Sequence, residues 1–306
     1  RSSAASDVYK RQELLCDVNI KLACKLVDFT KSNNSKLLVN FGSCFEYGDH
    51  GNILLSEEMT CNPESLYAIS KNASTKLVME YAKIKKVNLI TVRPFGVFGE
   101  GEGINRLAPS IIKSCMEGKS VKTTEGNQIR DFVDVKDVVK AIIDLTEAKY
   151  ESYEIYNICS DNPVQVKDFI KEIVQVCKFD RGLIKFGALP YRNNEAMIFA
   201  GKNEKLQKLI NYNFPTNHRS GILDIYNSMM WYIFVDLFFY DNCYNLTLDS
   251  WSQYILKGIF VITVGQARYF NSLENVSWIL TEEACDILKG SVFGKIIPDV
   301  DTHNQS

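Results

Sequence analysis

The chain has 306 residues, of which 46% are hydrophobic and 24% charged, and its formal net charge is −2 at pH 7. This composition allows a sizeable hydrophobic core and one to two domains, and the nearly balanced charge gives no indication of binding to nucleic acid or to an anionic membrane. Nine scattered cysteines form no Cys-x-x-Cys pair and only three histidines are present, so a zinc site is disfavoured and the free thiols indicate a cytoplasmic protein.

The chain begins with a polar stretch, a helix and a strand. Residues 1–12 look like translated adapter sequence and are treated as a non-native leader; a polar, disordered terminus is the alternative. Residues 16–30 have apolar side chains at helical spacing and predict an amphipathic helix. Residues 36–41 predict a strand, which we expect to be buried on both faces.

A tyrosine and a lysine stand four residues apart at the start of the next predicted helix, residues 67–86. They share one helix face, so the ammonium of Lys71 lies beside the phenol of Tyr67 and favours its ionised form. One lysine in water is not sufficient to bring the pKa of the phenol close to neutrality. A second positive charge, such as an oxidised nicotinamide ring, is therefore indicated. Tyr81 and Lys85 repeat the spacing in the middle of the helix, where packing is the expected role. Tyr67 is the favoured candidate because it stands at the start of the helix.

A second apolar run, residues 89–95, predicts another buried strand and completes a βαβ unit with parallel strands. In such sheets the carboxyl ends of the strands meet at one edge, where binding and catalytic residues collect. Ser43, Tyr67, Pro94 and Phe95 are all expected at this edge.

The composition changes near Trp231, where the chain becomes rich in aromatic residues. The apolar run that starts at Met229 is too short to cross a bilayer and is interrupted by Asp236. We therefore expect no membrane partner, and we treat residues 229–306 as a separate segment of unassigned role.

Five segments in order resemble the extended short-chain dehydrogenase/reductases, the NAD-dependent epimerase/dehydratase family that modifies nucleotide sugars. The segments are residues 41–48, 57–71, 92–99, 126–134 and 190–195. The resemblance covers residues 13–228 and implies an α/β fold: an incomplete Rossmann-like parallel sheet, its first strands missing, with a small mixed α/β substrate-binding region.

The resemblance also implies roles for the residues at the sheet edge. Tyr67 would be the acid/base for a sugar hydroxyl, Lys71 would hold the nicotinamide ribose of NAD or NADP, and Ser43 would bind the same sugar oxygen as Tyr67. Pro94 and Phe95 would border the nicotinamide. The alternatives are that Ser43 only satisfies the end of a strand and that Pro94 only ends one.

Three arginines are candidates for binding the diphosphate and nucleotide of a nucleotide-diphosphate sugar. Arg130 and Arg192 match the family's diphosphate positions, and the guanidinium fork suits phosphate oxygens. Arg106 is a further candidate for a nucleotide contact. The alternative for Arg130 is an ion pair with Asp131 or Asp134.

Two departures from the family pattern limit the reaction. The 4,6-dehydratases carry an acidic pair where this chain has Cys44 and Phe45, so dehydration is disfavoured and the prediction is a C4 epimerase or 4-ketoreductase for surface polysaccharide. No glycine precedes Gly42, so the family's glycine-rich dinucleotide loop is absent from the sequence. The alternative hypothesis is therefore an inactive, truncated fragment that binds at most a nucleotide diphosphate or a protein partner, and little or no NADH.

The resemblance implies one protein partner. Family members often dimerise through the two helices predicted here at residues 13–32 and 67–86. We therefore expect a homodimer through these helices.

Overall fold

The computed structural model describes residues 15–240 except 194, 212 and 216, with the backbone alone for residues 231–240. The chain divides into two compact units, Arg1–Tyr232 and Ile233–Ser306, and the account below concerns the first. The predicted leader, residues 1–12, and most of the predicted segment 229–306 lie outside the described residues.

The described residues form ten strands and seven α-helices. The strands are β1 (Leu38–Phe41), β2 (Leu89–Pro94), β3 (Gly96–Phe98), β4 (Val121–Lys122), β5 (Ile129–Arg130), β6 (Phe132–Asp134), β7 (Glu154–Ile158), β8 (Val164–Gln165), β9 (Ile184–Lys185) and β10 (Ile198–Phe199). The helices are α1 (Ala23–Ser32), α2 (Leu66–Lys85), α3 (Leu107–Met116), α4 (Val135–Glu147), α5 (Val166–Val176), α6 (Glu204–Gln207) and α7 (Arg219–Tyr240).

The predicted βαβ unit is confirmed. β1 and β7 both pair with β2 in parallel, in the order β1-β2-β7, and α2 connects β1 to β2. Ser65 caps the start of α2 by accepting a 3.1 Å hydrogen bond from the Ala68 amide, and Lys86 ends the helix in the left-handed conformation. The observed helix agrees with the prediction to within one residue at each end.

The predicted first helix is also confirmed, with a π-helical stretch, Asp17–Leu22, continuing into α1. Val27 of this helix is buried against Val78 and Ala82 of α2 and Leu89 of β2. The buried Asn19 donates a 2.9 Å hydrogen bond to Ser70 and so ties the two helices together.

The expectation that β1 is buried on both faces is wrong. Its first three residues are half-buried and Phe41 is 49% exposed, whereas β2 is buried up to Pro94. The reason is position: among the described strands β1 is at the edge of its sheet, and β2 is covered on both sides by its neighbours.

A second, mixed region follows, as predicted. β5 lies between β10, which is parallel to it, and β8, which is antiparallel; β3 pairs with β6 and β4 with β9. Its core contains the stacked rings of Phe132 and Phe169, with centroids 3.9 Å apart, packed near Phe98. Within the part of the chain that is described, no helix is long and apolar enough to cross a membrane.

Candidate active site

The site begins at the carboxyl end of β1, where Ser43 opens a short 3-10 turn, Cys44–Glu46. The Ser43 backbone is extended, and its hydroxyl oxygen accepts a 3.3 Å hydrogen bond from the Phe45 amide. The Glu46 carboxylate in turn accepts a 2.8 Å bond from the Ser43 amide, which completes a capping box. Because Ser43 is an acceptor in the turn, its hydroxyl hydrogen remains available to a ligand.

Glu46 is the residue that sequence reasoning missed. It is fully buried, and its carboxylate accepts 3.1 and 2.8 Å bonds from Arg93 and a 3.0 Å bond from the Thr75 hydroxyl. The spacing Ser43-x-x-Glu46 was the available signal, since serine followed three residues later by glutamate is typical of a capping box.

Tyr67 is the second residue of α2 and is 42% exposed. Its ring meets the Phe45 ring edge-on, with centroids 6.5 Å apart, which places it beside the loop that carries Ser43. Among the described residues its hydroxyl has no hydrogen-bond partner. By contrast, Tyr81 packs between the helices and donates a 2.8 Å bond to Asp28, so the structural role expected for it is confirmed.

Lys71 lies one turn after Tyr67 and reaches the end of β1. Its ammonium donates a 2.9 Å hydrogen bond to the carbonyl of Phe41. Burial lowers the pKa of Lys71, and the negative charge of Glu46 opposes that shift. The structure therefore brings the predicted Ser43, Tyr67 and Lys71 to the same strand end.

A cavity of about 540 Å³ lies next to this strand end, within the size range of small-molecule sites. Cys44, Phe45 and Phe95 form part of one wall. The cavity is also lined by all three arginines predicted to bind the substrate, Arg106, Arg130 and Arg192. Residues nearly 150 positions apart in the sequence thus meet in one pocket.

Two of the three arginines form ion pairs with carboxylates that also line the cavity. Arg130 forms a 2.6 Å ion pair with Glu195, and burial lowers its pKa while Glu195 opposes that shift. Arg106 stands at the N-terminus of α3 and forms a 3.3 Å pair with Glu102. Arg192 is exposed.

The alternative partners considered for Arg130 are not the observed ones. Asp131 accepts bonds of 2.7 and 2.8 Å from the Ser160 amide and hydroxyl, and burial raises its pKa to about 6. Asp134 caps α4 by accepting a 2.9 Å bond from the Lys136 amide. Arg130 is therefore turned towards the cavity side, where Glu195 lies.

The residues at the strand end fit the nicotinamide half of a dinucleotide. The Tyr67 hydroxyl has no hydrogen-bond partner among the described residues. The Lys71 ammonium is held by its bond to the carbonyl of Phe41, two residues before Ser43. Pro94 ends β2 half-buried, whereas Phe95 is buried against Phe199 and Cys159 and faces the cavity. Among the described residues, no cluster of three histidine, cysteine, aspartate or glutamate side chains is arranged to hold a metal ion.

A parallel α/β sheet with Ser43, Tyr67 and Lys71 gathered at the carboxyl end of β1 defines a Rossmann-type protein, a class in which ligands bind at the carboxyl ends of the strands. The chain belongs to the NAD dependent epimerase/dehydratase family, whose sequence profile matches residues 3–159. Solved structures with this fold contain NAD or NADPH, and the family is NAD(P)-dependent.

Three curated relatives modify nucleotide sugars, as their names state. CDP-abequose synthase of Salmonella typhimurium is 28% identical over 68% of this chain and 68% of its own length. GDP-6-deoxy-D-talose 4-dehydrogenase of Aggregatibacter actinomycetemcomitans is 26% identical over 60% and 62%. UDP-arabinose 4-epimerase 1 of Arabidopsis thaliana is 26% identical over 58% and 47%. The chain thus spans about half to two thirds of the length of these relatives.

Two solved structures support the fold. dTDP-glucose 4,6-dehydratase of Bacillus anthracis, in complex with NAD, has a TM-score of 0.62 at 21% identity, covering 72% of this chain and 70% of that one. RMD of Pseudomonas aeruginosa, complexed with NADPH, has a TM-score of 0.62 at 19% identity, covering 69% and 72%. The α/β, Rossmann-like fold predicted from the sequence is confirmed.

Proposed function

We propose that the chain carries the proton-transfer and substrate-binding residues of an NAD(P)-dependent enzyme that acts at C4 of a nucleotide-activated hexose, as an epimerase or a 4-ketoreductase. The observation that supports it is the Lys71 ammonium bonded to the end of β1, with Ser43 and Tyr67 beside it and an arginine-lined cavity adjacent. Relatives named 4-epimerase and 4-dehydrogenase agree with chemistry at this carbon.

Proton transfer is assigned to Tyr67. Its hydroxyl would exchange the proton of the sugar hydroxyl, and the neighbouring Lys71 charge would stabilise the phenolate form. Ser43 would donate its hydroxyl hydrogen to the same sugar oxygen and orient it. NAD(P), when bound, supplies the hydride acceptor or donor. The sugar oxygen would thus be held by two hydroxyls from different elements.

Dehydration is disfavoured because neither Cys44 nor Phe45, which stand where the dehydratases carry their acidic pair, can exchange a proton near neutral pH. Burial raises the pKa of the Cys44 thiol to about 12, so it stays neutral, and Phe45 carries no proton to exchange. A group so far from neutrality is a poor acid or base for removing water. Oxidation or reduction at C4 would need only the hydroxyl pair for the proton and NAD(P) for the hydride.

The substrate diphosphate is assigned to Arg130 and Arg192, with Arg106 contributing a nucleotide contact. The partner carboxylates of Glu195 and Glu102 also line the cavity. A diphosphate that enters the cavity would take the place of a carboxylate beside an arginine, and it carries more negative charge than the carboxylate. Because the named relatives use CDP, GDP and UDP sugars, the nucleotide stays open.

Calorimetric titration of the chain with UDP, GDP and CDP tests this site. We expect at least one of them to bind, and Arg130→Ala to weaken binding about 10- to 100-fold, since a charge-assisted bond contributes about 1.5–3 kcal/mol. Arg181→Ala is the control, because Arg181 is exposed and does not line this cavity. Unchanged affinity in Arg130→Ala would overturn the diphosphate assignment.

The partner proposed for this enzyme is a second copy of the chain. Four apolar side chains of the first helix are exposed at spacings of four, four and three residues: Val18, Leu22, Leu26 and Phe29. The adjacent α2 exposes Ile69, Leu77 and Ile84. Two neighbouring helices with exposed apolar stripes are suited to a four-helix interface between two copies.

Light scattering after size exclusion tests the dimer. Leu26→Glu with Leu77→Glu should convert a dimer into a monomer, because both charges would be buried at the interface. Val139→Glu with Ile143→Glu, two exposed apolar positions on α4, is the matched control. A monomeric mass for the unsubstituted chain would contradict the proposal.

A further inference from the structure

One buried carboxylate joins the three elements that carry the proposed catalytic residues. We infer that Glu46 is a positioning residue: it holds Ser43, α2 and β2 in a fixed arrangement and supplies the negative charge behind Lys71. The inference rests on the proposed function, because Ser43, Tyr67 and Lys71 take their roles from it.

The four hydrogen bonds to the Glu46 carboxylate come from three residues, each on a different element of the site. Oε1 accepts from the Ser43 amide at 2.8 Å and from the Thr75 hydroxyl at 3.0 Å. Oε2 accepts from Nε and Nη2 of Arg93 at 3.1 and 2.8 Å. Both oxygens are therefore saturated by protein donors, and Glu46 is not free to bind substrate.

Each donor stands next to a residue that the reaction needs. Ser43 is itself a proposed catalytic residue, Thr75 lies one helical turn after Lys71 on α2, and Arg93 directly precedes Pro94. A shift of the carboxylate would therefore move the turn, the helix and the strand relative to one another. No other described residue bonds to all three of these elements.

The space around Glu46 is closed. A Cβ atom at Gly42 would stand 2.4 Å from Glu46 Oε1 and 3.2 Å from the Thr75 hydroxyl oxygen. On the other side, the Arg93 guanidinium lies 4.5 Å from the centre of the Tyr47 ring, and Tyr47 donates a 2.7 Å bond to Asn157 of β7. The carboxylate is therefore closely surrounded on both sides.

A buried ion pair seldom stabilises a protein more than apolar side chains of the same volume would. Glu46 is inaccessible and Arg93 is 3% exposed, so this pair bears a large desolvation cost. The presence of a charged pair at this place is therefore better explained by its effect on the geometry and charge of the site than by a contribution to the stability of the fold.

The charge of Glu46 also acts on Lys71. The charged and titratable groups in this region include Glu46, Cys44 and Tyr47 from the loop after β1, Arg93 from β2, Tyr67 and Lys76 on the helix of Lys71, and Cys61 against Arg93. Of these, Glu46 is the negative group that favours the protonated ammonium, against the effect of burial. A neutral side chain at position 46 would therefore leave Lys71 easier to deprotonate.

Nuclear magnetic resonance of the full chain tests the inference. The probes are the pH titration of the Lys71 side chain, assigned through Lys71→Arg, and the backbone amide signal of Ser43. In Glu46→Gln we expect the Lys71 midpoint to move to lower pH and the Ser43 amide signal to shift. Glu172→Gln, which removes the carboxylate of the distant His218–Glu172 pair, should change neither probe.

If Glu46→Gln does not fold, the double variant Glu46→Met with Arg93→Met replaces both charges by apolar side chains and keeps the test open. It should still displace the Ser43 amide signal. An unchanged Lys71 titration and an unchanged Ser43 signal in a folded variant would overturn the positioning role. Neither probe involves a nucleotide, so this failure is distinct from failure of the Arg130 binding test.

Discussion

The strand end and the cavity are built in opposite ways. At the strand end, Glu46 is inaccessible and saturated by bonds from Ser43, Thr75 and Arg93. In the cavity, Arg130 and Glu195 form a pair that keeps about a fifth of each side chain exposed. The Glu46 carboxylate has no oxygen left to accept another bond, whereas Arg130 can exchange the Glu195 carboxylate for a ligand. The difference indicates a rigid strand end, which carries the proposed catalytic residues, beside an adjustable cavity, which carries the proposed binding residues.

The largest expected effect is on turnover. In a form of the enzyme that includes the dinucleotide-binding loop, Tyr67→Phe should lower NAD(P)-dependent turnover of a nucleotide hexose about 10²- to 10⁴-fold, the usual contribution of a general acid or base. Nucleotide affinity should be unchanged, because the hydroxyl has no partner among the described residues. Steady-state kinetics and calorimetry measure the two quantities.

Tyr81→Phe is the matched control for that variant. It removes a 2.8 Å bond to Asp28 and should cost about 0.5–1.5 kcal/mol of unfolding free energy without changing turnover. Equal losses of turnover in the two variants would remove the distinction between Tyr67 and Tyr81.

The next effect is on stability, and it tests the contrast between the two ion pairs directly. Arg93→Met leaves the Glu46 carboxylate buried without its partner and should cost about 3–5 kcal/mol. Arg130→Met breaks a partly exposed pair and should cost at most about 1 kcal/mol. Urea unfolding measures both changes, and similar losses of unfolding free energy would contradict the contrast between the two ion pairs.

A smaller effect is expected from crowding the strand end. Gly42→Ala puts a methyl group 2.4 Å from Glu46 Oε1 and should cost about 1–3 kcal/mol. Gly103→Ala, near the cavity, meets no atom closer than 3.9 Å and should change stability by less than about 0.5 kcal/mol. Thermal unfolding compares them; an unaffected Gly42→Ala would mean that the carboxylate can move.

The smallest effect concerns the adjustable cavity. Glu195→Gln frees Arg130 from its carboxylate and should raise nucleotide affinity about two- to five-fold, in line with a partly exposed ion pair. Calorimetry with the nucleotide that binds best measures this change. A loss of affinity would instead assign Glu195 to ligand binding.

Local patterns were sufficient for several elements. The helix predicted at residues 67–86 and the strand predicted from the apolar run at residues 89–95 agree with α2 and β2 to within one residue at each end. The edge position of β1 was missed because a short, mostly apolar segment has the same pattern at the edge and at the centre of a sheet. The assignments of Ser43, Tyr67, Lys71 and the three arginines stay predictions, and the experiments above test them.

By itself the sequence determined the βαβ unit, the family and the Tyr67–Lys71 spacing, because these depend on periodicity and on contacts within one helix or turn. Only the tertiary structure decided the Glu46–Arg93 pair and the Arg130–Glu195 pair, whose members are 47 and 65 residues apart. Such pairs depend on where β1, β2 and the later loops meet in space. A charged side chain needs a protein partner only where burial removes the water that would otherwise solvate it, and burial is decided by the tertiary structure.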